Sequence, residues 1–360
     1  MISCYDFKND IRDVVPILDY VNANNPKLLS VIGAGQEAKS KTHEWTEGII
    51  GGKKVDGTAS DLVISLADAD DAALLGVGMR LQPEGLADVY KIASISSADV
   101  TVTKAVSGMA NPPSALTTYK VVGAPVATGS TTGEEVAWQG EIRTNYTQIF
   151  RKDASLTATA ISTDTYDNAN KMNTQVLNAM ELLQNDLNFA VWHGRKALGA
   201  KGTAATMGGI YEFCTANIVD ANGAALSVDL INSLIQKIVK KGGKPDTIAI
   251  NRALAPAFSK LYQNQVFIGE NSNVRGMYVN KIVDAFGNVL NVVYDDDVPA
   301  KDLWVMEIGK IKLAPMQGRT FVDKDSTAPG FDGESRTIIG EYTVEIYNPG
   351  ECFGHITNIG

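Results

Sequence analysis

A short glycine-rich segment near the start of the chain has the residue pattern of a nucleotide site. The apolar run Leu28–Ile32 precedes Gly-Ala-Gly-Gln-Glu-Ala, in which Gly33, Gly35 and Ala38 match GxGxxA. At a strand-to-helix junction such small residues let a pyrophosphate approach a helix N-terminus, as in an NAD-dependent oxidoreductase. No acidic residue at a clean strand end and no alternating strand–helix pattern follows. We therefore favour a plain turn, with the nicotinamide-cofactor site as the alternative.

No other segment offers a more specific phosphate or metal site. Gly123–Ser130 resembles a phosphate loop, but it has no lysine and its glycine spacing is one residue too long. His43, His193 and His355 occur in unrelated segments, and none has a His or Cys partner at metal-ligand spacing. We expect a structural or surface role for each histidine.

The acidic residues give equally weak signals. Asp295–Asp297 could bind a hard cation, but without EF-hand spacing a solvated turn is the better interpretation. Glu134 with Glu135, and Glu44 with Glu47, could be carboxylate pairs, but nothing places them across a cleft. The sequence has no GxSxG nucleophile elbow. We predict no catalytic, cofactor-binding or metal-binding residue and no enzymatic activity, which favours a structural protein.

The composition is that of an ordinary folded chain. Of 360 residues, 44% are hydrophobic, and 41 acidic against 32 basic side chains give a formal charge of −9. Sequence-specific nucleic-acid binding normally needs a basic surplus or cluster, so we exclude it. The widely spaced Cys4, Cys214 and Cys352 form no disulfide framework or CxxC clip, which indicates a reducing compartment. No h-region opens the chain and no apolar run approaches the ~18 residues of a membrane span, so we expect a cytosolic protein.

The N-terminal part of the chain predicts an arm, a loop and a small β module. Residues 1–40 are poorly able to fold alone, and residues 41–60 predict an extended, exposed loop. Short β-type runs follow between residues 61 and 128. Apolar and polar residues largely alternate in Val89–Ile95 and in Val100–Thr103, and a four-residue turn joins them, which predicts a hairpin.

A long helix and a compact α+β region follow. Apolar residues three or four positions apart predict a helix from near Tyr166 to about His193. Its apolar stripe consists of Met172, Val176, Met180, Leu183, Leu187 and Val191. At ~1.5 Å per residue this helix is about 40 Å long, which suits a brace in an extended molecule. Ser227 can cap a second helix that ends at Gly242, and strands and helices alternate after it.

Several segments stand in a characteristic order along the second half of the chain. They are Asn145–Lys152 before the long helix, Met207–Ile210 and Thr215–Asn217 after it, Gly242–Asp246, Phe286–Asn288, Ile339–Glu345 and His355–Asn358. This order and spacing, over about residues 141–360, resembles the major capsid (major head) proteins of tailed bacteriophages, which have the Hong Kong 97 fold.

The resemblance implies an α+β capsid fold with five parts. These are an N-terminal arm (1–40), an extended loop that laps over a neighbouring subunit (41–60 and 129–150), an inserted small β module (61–128), a peripheral domain with the spine helix (151–210 and 319–360) and an axial domain (211–318).

The resemblance also implies a role in the virion. Pentamers and hexamers of the chain would form the icosahedral head around a double-stranded DNA genome, with assembly in the cytoplasm of a bacterial host. The implied partners are other copies, portal and scaffolding proteins, a decoration protein and, weakly and nonspecifically, the packaged DNA, but no membrane. An arm and a long loop need neighbours to bury their apolar side chains, which agrees with symmetric assembly.

Two alternatives remain open at this point. Within the same fold, the chain could be an encapsulin-like compartment shell protein, because composition does not distinguish such a protein from a phage capsid protein. From a different class, an NAD-dependent oxidoreductase would use the GxGxxA turn. Some capsids of this fold carry covalent lysine–asparagine cross-links, and the sequence identifies no such pair.

Overall fold

A computed structural model describes residues 28–48, 54–67, 71–72, 75–123, 140–163, 171–261, 281–284 and 287–360. Its strands are β1 (Gly33–Ala34), β2 (Thr42–Glu47), β3 (Lys54–Ser60), β4 (Val63–Leu66), β5 (Arg80–Pro83), β6 (Tyr90–Ser96), β7 (Asp99–Lys104), β8 (Thr117–Val122), β9 (Glu141–Tyr146), β10 (Gln148–Thr157), β11 (Ile218–Asp220), β12 (Thr247–Ile250), β13 (Lys281–Val283), β14 (Val289–Tyr294), β15 (Leu303–Met306), β16 (Ile311–Pro315), β17 (Val322–Asp325), β18 (Gly333–Ile346) and β19 (Phe353–Thr357).

The helices are fewer and most are short. They are α1 (Ala158–Ser162), α2 (Lys171–His193), α3 (Ile210–Phe213), α4 (Val228–Lys240), α5 (Ala255–Leu261) and α6 (Pro349–Cys352), with 3-10 turns at Leu28–Ser30, Arg252–Leu254 and Ile308–Lys310. No helix among the described residues combines the length and the apolar character needed to cross a lipid bilayer. The chain divides into two compact units, one of residues 46–141 with 240–242 and one of the remainder.

The smaller unit contains a closed barrel. Its strand order is β3-β4-β7-β6-β5-β8, and alternate side chains such as Val55, Ile64 and Tyr90 fill the interior. The predicted hairpin is confirmed, because β6 pairs antiparallel with β7. The expected exposed loop at 41–60 is wrong for Lys54–Ser60, which is a barrel strand, so the barrel begins before the predicted start of the β module at residue 61.

The larger unit contains a sheet built around the 14-residue strand β18. Its order is β1-β16-β18-β10, with β17 also paired to β18. Helix α2 packs on this sheet through the predicted stripe, of which Leu183 and Val191 are almost fully buried and Met180 is half-buried. The helix is confirmed over Lys171–His193, and the predicted residues 166–170 lie outside the described residues.

A second sheet of the larger unit has the order β11-β19-β15-β12-β14-β13. Helix α4 packs on it through Ile231, Leu234, Ile235 and Ile238. The cap is confirmed, because the Ser227 Oγ accepts a hydrogen bond from the Leu230 N–H at 3.3 Å. After the helix the chain turns at Gly242, whose φ of 95° favours glycine.

The two sheets divide the chain differently from the expected peripheral and axial domains. Strand β16, expected in the axial part 211–318, pairs with β18. Strand β19, expected in the peripheral part 319–360, pairs with β11 and β15 in the second sheet. The reason is that strands pair with strands that are distant in the sequence. The chain therefore passes from one sheet to the other more often than a division into a few consecutive ranges allows.

Candidate functional site

The glycine-rich segment contains the two-residue strand β1 and an isolated β-bridge at Ala38, and no helix follows it among residues 28–48. Gly33 and Ala34 pair in parallel with β16, and Ala38 bridges to Met316. The N–H groups of Gly35 and Ala38 donate to carbonyl groups of β16 at 2.8 and 2.9 Å. These donors are therefore not free to bind a pyrophosphate. The turn that we favoured and the dinucleotide alternative are both wrong.

The small residues of this segment serve close packing instead. A Cβ atom on Gly35 would lie 3.2 Å from both the Cβ of Ala314 and the Oε1 of Glu345. Glycine at this position lets residues 33–45, which we call the strap, lie against the sheet. Further along the strap, the N–H of Thr147 donates to the carbonyl oxygen of Lys41 at 3.0 Å.

The strap meets a buried polar face of β18. Side chains on a strand alternate between faces, and Ile338, Tyr342, Val344 and Ile346 point into the core that contacts α2. The opposite face carries Thr337, Glu341, Thr343 and Glu345, all of which are buried. Alternating polar residues usually indicate a solvent-exposed face, so nothing in the pattern of this strand indicates that the face is covered.

Glu345 connects the strap to this polar face. Its Oε1 lies 2.7 Å from Nε2 of His43, and its Oε2 accepts a hydrogen bond from Tyr347 Oη at 2.9 Å. Burial works to raise the pKa of Glu345, but the hydrogen bonds from His43 and Tyr347 outweigh it and hold the pKa below its usual range. Glu345 is therefore a buried, charged anchor for the strap, and His43 is a structural residue.

Glu341 is a second buried carboxylate on the same face, and its partners lie outside the strap. Thr147 Oγ1 donates to its Oε1 at 2.6 Å, and Arg319 lies 3.0 Å from its Oε2. Both oxygens are thus paired, which offsets the cost of burying the carboxylate.

The aspartate run leads into a turn, as the sequence predicted, but it is a partly buried polar cluster and not a solvated turn. Asp295 is 1% exposed, and its carboxylate accepts hydrogen bonds from the backbone N–H groups of Leu28 and Asp297 at 3.0 Å. Asn188 of α2 donates to Asp295 and also to Asp297. Asp296 lies 3.3 Å from Arg252. Burial raises the pKa of Asp297 above its usual range.

The other two histidines meet around one tyrosine. The ring of His193 stacks on Tyr211 at a centroid distance of 5.0 Å, and His355 approaches the same ring at 5.9 Å. His355 also stacks on Trp304 at 4.2 Å. Burial lowers the pKa of His355, so this ring is neutral in the folded chain. The cluster is an aromatic core contact, which agrees with the expected structural role.

The remaining candidate residues that the structure describes form no reactive group. Glu44 and Glu47 point to opposite faces of β2, so they are not a pair, and Glu134 and Glu135 lie outside the described residues. Within the described ranges, no group of three or more His, Cys, Asp or Glu residues could hold a metal ion. Cys352 is buried, which raises its pKa to about 12 and keeps the thiol protonated.

Comparison with known proteins identifies the family. The profile of the SU10 major capsid protein family matches residues 3–360. The chain belongs to the SU10 major capsid protein family. It is a phage capsid protein, the structural component of the virion shell and not an enzyme. No curated protein matches the sequence.

Solved structures agree on the fold of this SU10-family capsid protein. The capsid of cyanophage A-1(L) matches with a TM-score of 0.54 at 12% identity, covering 99% of this chain and 98% of that chain. The capsid of the native GTA particle matches with a TM-score of 0.53 at 9% identity, again covering 99% and 98%. An encapsulin from Synechococcus elongatus PCC 7942 gives a TM-score of 0.43 at 12% identity, covering 61% and 76%. The fold is the Hong Kong 97 fold, as the resemblance implied.

Proposed function

We propose that this major capsid protein assembles as pentamers and hexamers into an icosahedral head that encloses a double-stranded DNA genome. The observation that carries the proposal is the family match, which extends over nearly the whole chain. Self-association into capsomers follows from membership of a capsid family. The proposal adds that these capsomers are pentamers and hexamers.

Exposed apolar side chains support the proposal that other subunits bind to this chain. On α2, the side chains of Leu177, Leu182 and Phe189 are 60%, 54% and 55% exposed. Ile142 on β9 is 64% exposed. Large apolar side chains on the surface of a subunit commonly mark contacts with other subunits. In the shell, these positions would be covered by adjacent copies.

The expected parts of a capsid subunit can be assigned to the two sheets. The sheet around β18, with α2 as the spine helix, would be the peripheral domain. The sheet from β11 to β13, with α4, would be the axial domain around the five- and six-fold axes. Residues 1–40 would be the arm, and the ribbon of β2 and β9 would belong to the extended loop. The barrel would be an insertion in that loop.

The partners of the shell follow from the same proposal. The net charge of −9 limits attraction to phosphates, so contact with packaged DNA would be weak and nonspecific. Portal, scaffolding and decoration proteins would complete the particle, and assembly would take place in the host cytoplasm.

Electron microscopy of the purified chain, with its light-scattering mass, tests the proposal. Five- and six-fold rings, tubes or closed shells are the expected result. A chain that stays monomeric at every salt and protein concentration, also when expressed with the other head proteins of its phage, would contradict it. Particles that contain packaged double-stranded DNA would distinguish a phage head from a compartment shell.

A further inference from the structure

Strand β10 has an edge that no described strand covers. Its ten residues, Gln148–Thr157, all pair with β18, and the sheet ends at β10. Unpaired N–H and C=O groups along an edge can accept another strand. The strand contains neither proline nor glycine, so nothing in its sequence hinders continuous pairing.

The outward face of β10 carries two opposite charges close to its centre. The side chains of Arg151 and Asp153 are 57% and 51% exposed, and Nε of Arg151 lies 3.0 Å from Oδ1 of Asp153. Asp153 also accepts a hydrogen bond from Thr337 Oγ1 at 2.5 Å. The bonds from Thr337 and Arg151 hold the pKa of Asp153 below its usual range, so the carboxylate is charged at neutral pH.

This charge pattern is complementary to itself. When two copies of one strand pair antiparallel, directly opposite residues must lie on the same face of the sheet. A pairing centred on Arg151 or on Asp153 would place like charges opposite each other. A pairing centred on Lys152 places Arg151 opposite Asp153 of the second copy, and Asp153 opposite its Arg151.

Lys152 itself does not oppose this register. In the symmetric pair the two Lys152 residues would face each other, and like charges at that position are unfavourable. The Nζ of Lys152, however, lies 2.7 Å from Oδ2 of Asp186 on α2 of its own chain. Its charge is therefore already compensated within each subunit.

We propose that β10 is an interface strand that pairs antiparallel with β10 of a second copy about a two-fold axis centred on Lys152. An isologous contact requires a patch that complements itself, and this strand provides one. The inference rests on the proposed shell, in which two-fold axes relate subunits of neighbouring capsomers. The contact would join capsomers and would not be needed to form them.

Two charge reversals in the full-length chain test this contact. Arg151→Glu places a carboxylate opposite Asp153 of the second copy, and Asp153→Arg places a guanidinium opposite Arg151. Because each reversal puts two like-charged pairs in every contact, we expect shell yield to fall at least about tenfold for each variant alone. Five- and six-fold rings should still form, and salt near 1 M should restore part of the yield by screening.

Coexpression of the two variants shows whether shells are lost because the contact between copies is lost or because the pair within each chain is lost. Both variants lack the internal pair between positions 151 and 153. In a mixed contact, however, the introduced carboxylate lies opposite the introduced guanidinium, and the unchanged Asp153 lies opposite the unchanged Arg151, so both pairs become complementary. We expect shells at wild-type yield within about twofold. Mass spectrometry should find the two variants in equal amounts, whatever their expression ratio.

Glu84→Lys is the matched control. It breaks the exposed pair of Glu84 and Lys54, which are 3.3 Å apart, and Lys54 belongs to the barrel and not to the sheet of β10, so shell yield should stay unchanged. The inference is overturned if either single variant forms shells at wild-type yield, or if coexpression gives no more shells than the single variants. Wild-type chains that form neither rings nor shells would instead contradict the proposed function.

Discussion

Asn188 donates to both carboxylate oxygens of Asp295 at 3.1 Å, although 107 residues separate the two in sequence. Asn188 belongs to α2 and Asp295 follows the end of β14, so the pair joins the long helix to the second sheet. The same carboxylate accepts a hydrogen bond from the backbone N–H of Leu28, which fixes the segment that precedes the strap. One buried polar cluster thus holds three distant segments of the subunit.

Removal of the amide should destabilise this cluster. Asn188→Ala leaves the buried Asp295 without its side-chain donor, and we expect the free energy of unfolding to fall by about 3 kcal/mol. Urea denaturation followed by tryptophan fluorescence measures the change. Gln175→Ala, at an exposed position of the same helix, should change it by less than ~0.5 kcal/mol. Equal effects of the two variants would contradict the role of the cluster.

The two faces of α2 should respond differently to the same substitution. Leu183 is 1% exposed in the core, and Leu183→Ala should cost about 2–5 kcal/mol through lost burial and a residual cavity. Its neighbour Leu182 is 54% exposed, so Leu182→Ala should be nearly neutral in the isolated subunit. Chemical denaturation measures both variants. If the helix packed through its other face, Leu182→Ala would lower the free energy of unfolding more than Leu183→Ala.

Stability should depend on pH through His355. Its pKa is lowered by burial, so the unfolded chain binds a proton at a higher pH than the folded chain does. The free energy of unfolding should therefore fall as the pH decreases below ~6.5, the ordinary value for histidine. His355→Phe keeps a ring against Trp304 and should flatten this dependence. Denaturation midpoints at pH 7.5 and 5.5 test it, and an unchanged slope in the variant would exclude His355 as the source.

The strap should be released when its anchor is removed. Glu345 has a lowered pKa, so its contribution is present above the usual glutamate range and is lost as the pH falls through the folded value. At neutral pH, His43→Ala leaves the buried carboxylate without its partner on the strap. Trypsin should then cleave faster after the exposed Lys39 and Lys41, which mass spectrometry can follow.

A lysine outside the strap provides an internal control for the proteolysis experiment. Lys237 is an exposed lysine on α4, and cleavage after it should not change in the His43→Ala variant. A general increase at all lysines would indicate global unfolding and would contradict a local anchor.

Local patterns predicted the elements that depend on neighbouring residues. The stripe from Met172 to Val191 defines α2 because helical packing repeats every three or four residues. The hairpin of β6 and β7 was predictable because both strands and their turn are contiguous. The resemblance supplied the fold and the function, which residue patterns alone did not.

Features that depend on distant partners were not predictable. The polar face of β18 looks like a solvent face, yet its Glu345 is buried and bonded to His43 of the strap. Asp295 is buried only because Asn188 and Leu28 supply donors from elsewhere in the chain. Gly35 matched a nucleotide motif, yet its small size serves packing against Glu345. In each case the deciding contact lies more than a hundred residues away.

The barrel begins and ends side by side, since Lys54 at the start of β3 is paired with Lys120 near the end of β8. A module with adjacent ends can be gained, lost or exchanged in one genetic event while the flanking chain keeps its course. Its closed ring of strands also leaves no free edge to disturb the folding of the host subunit. The barrel is therefore a suitable position for the evolutionary diversification of this capsid protein, and for the insertion of foreign sequences.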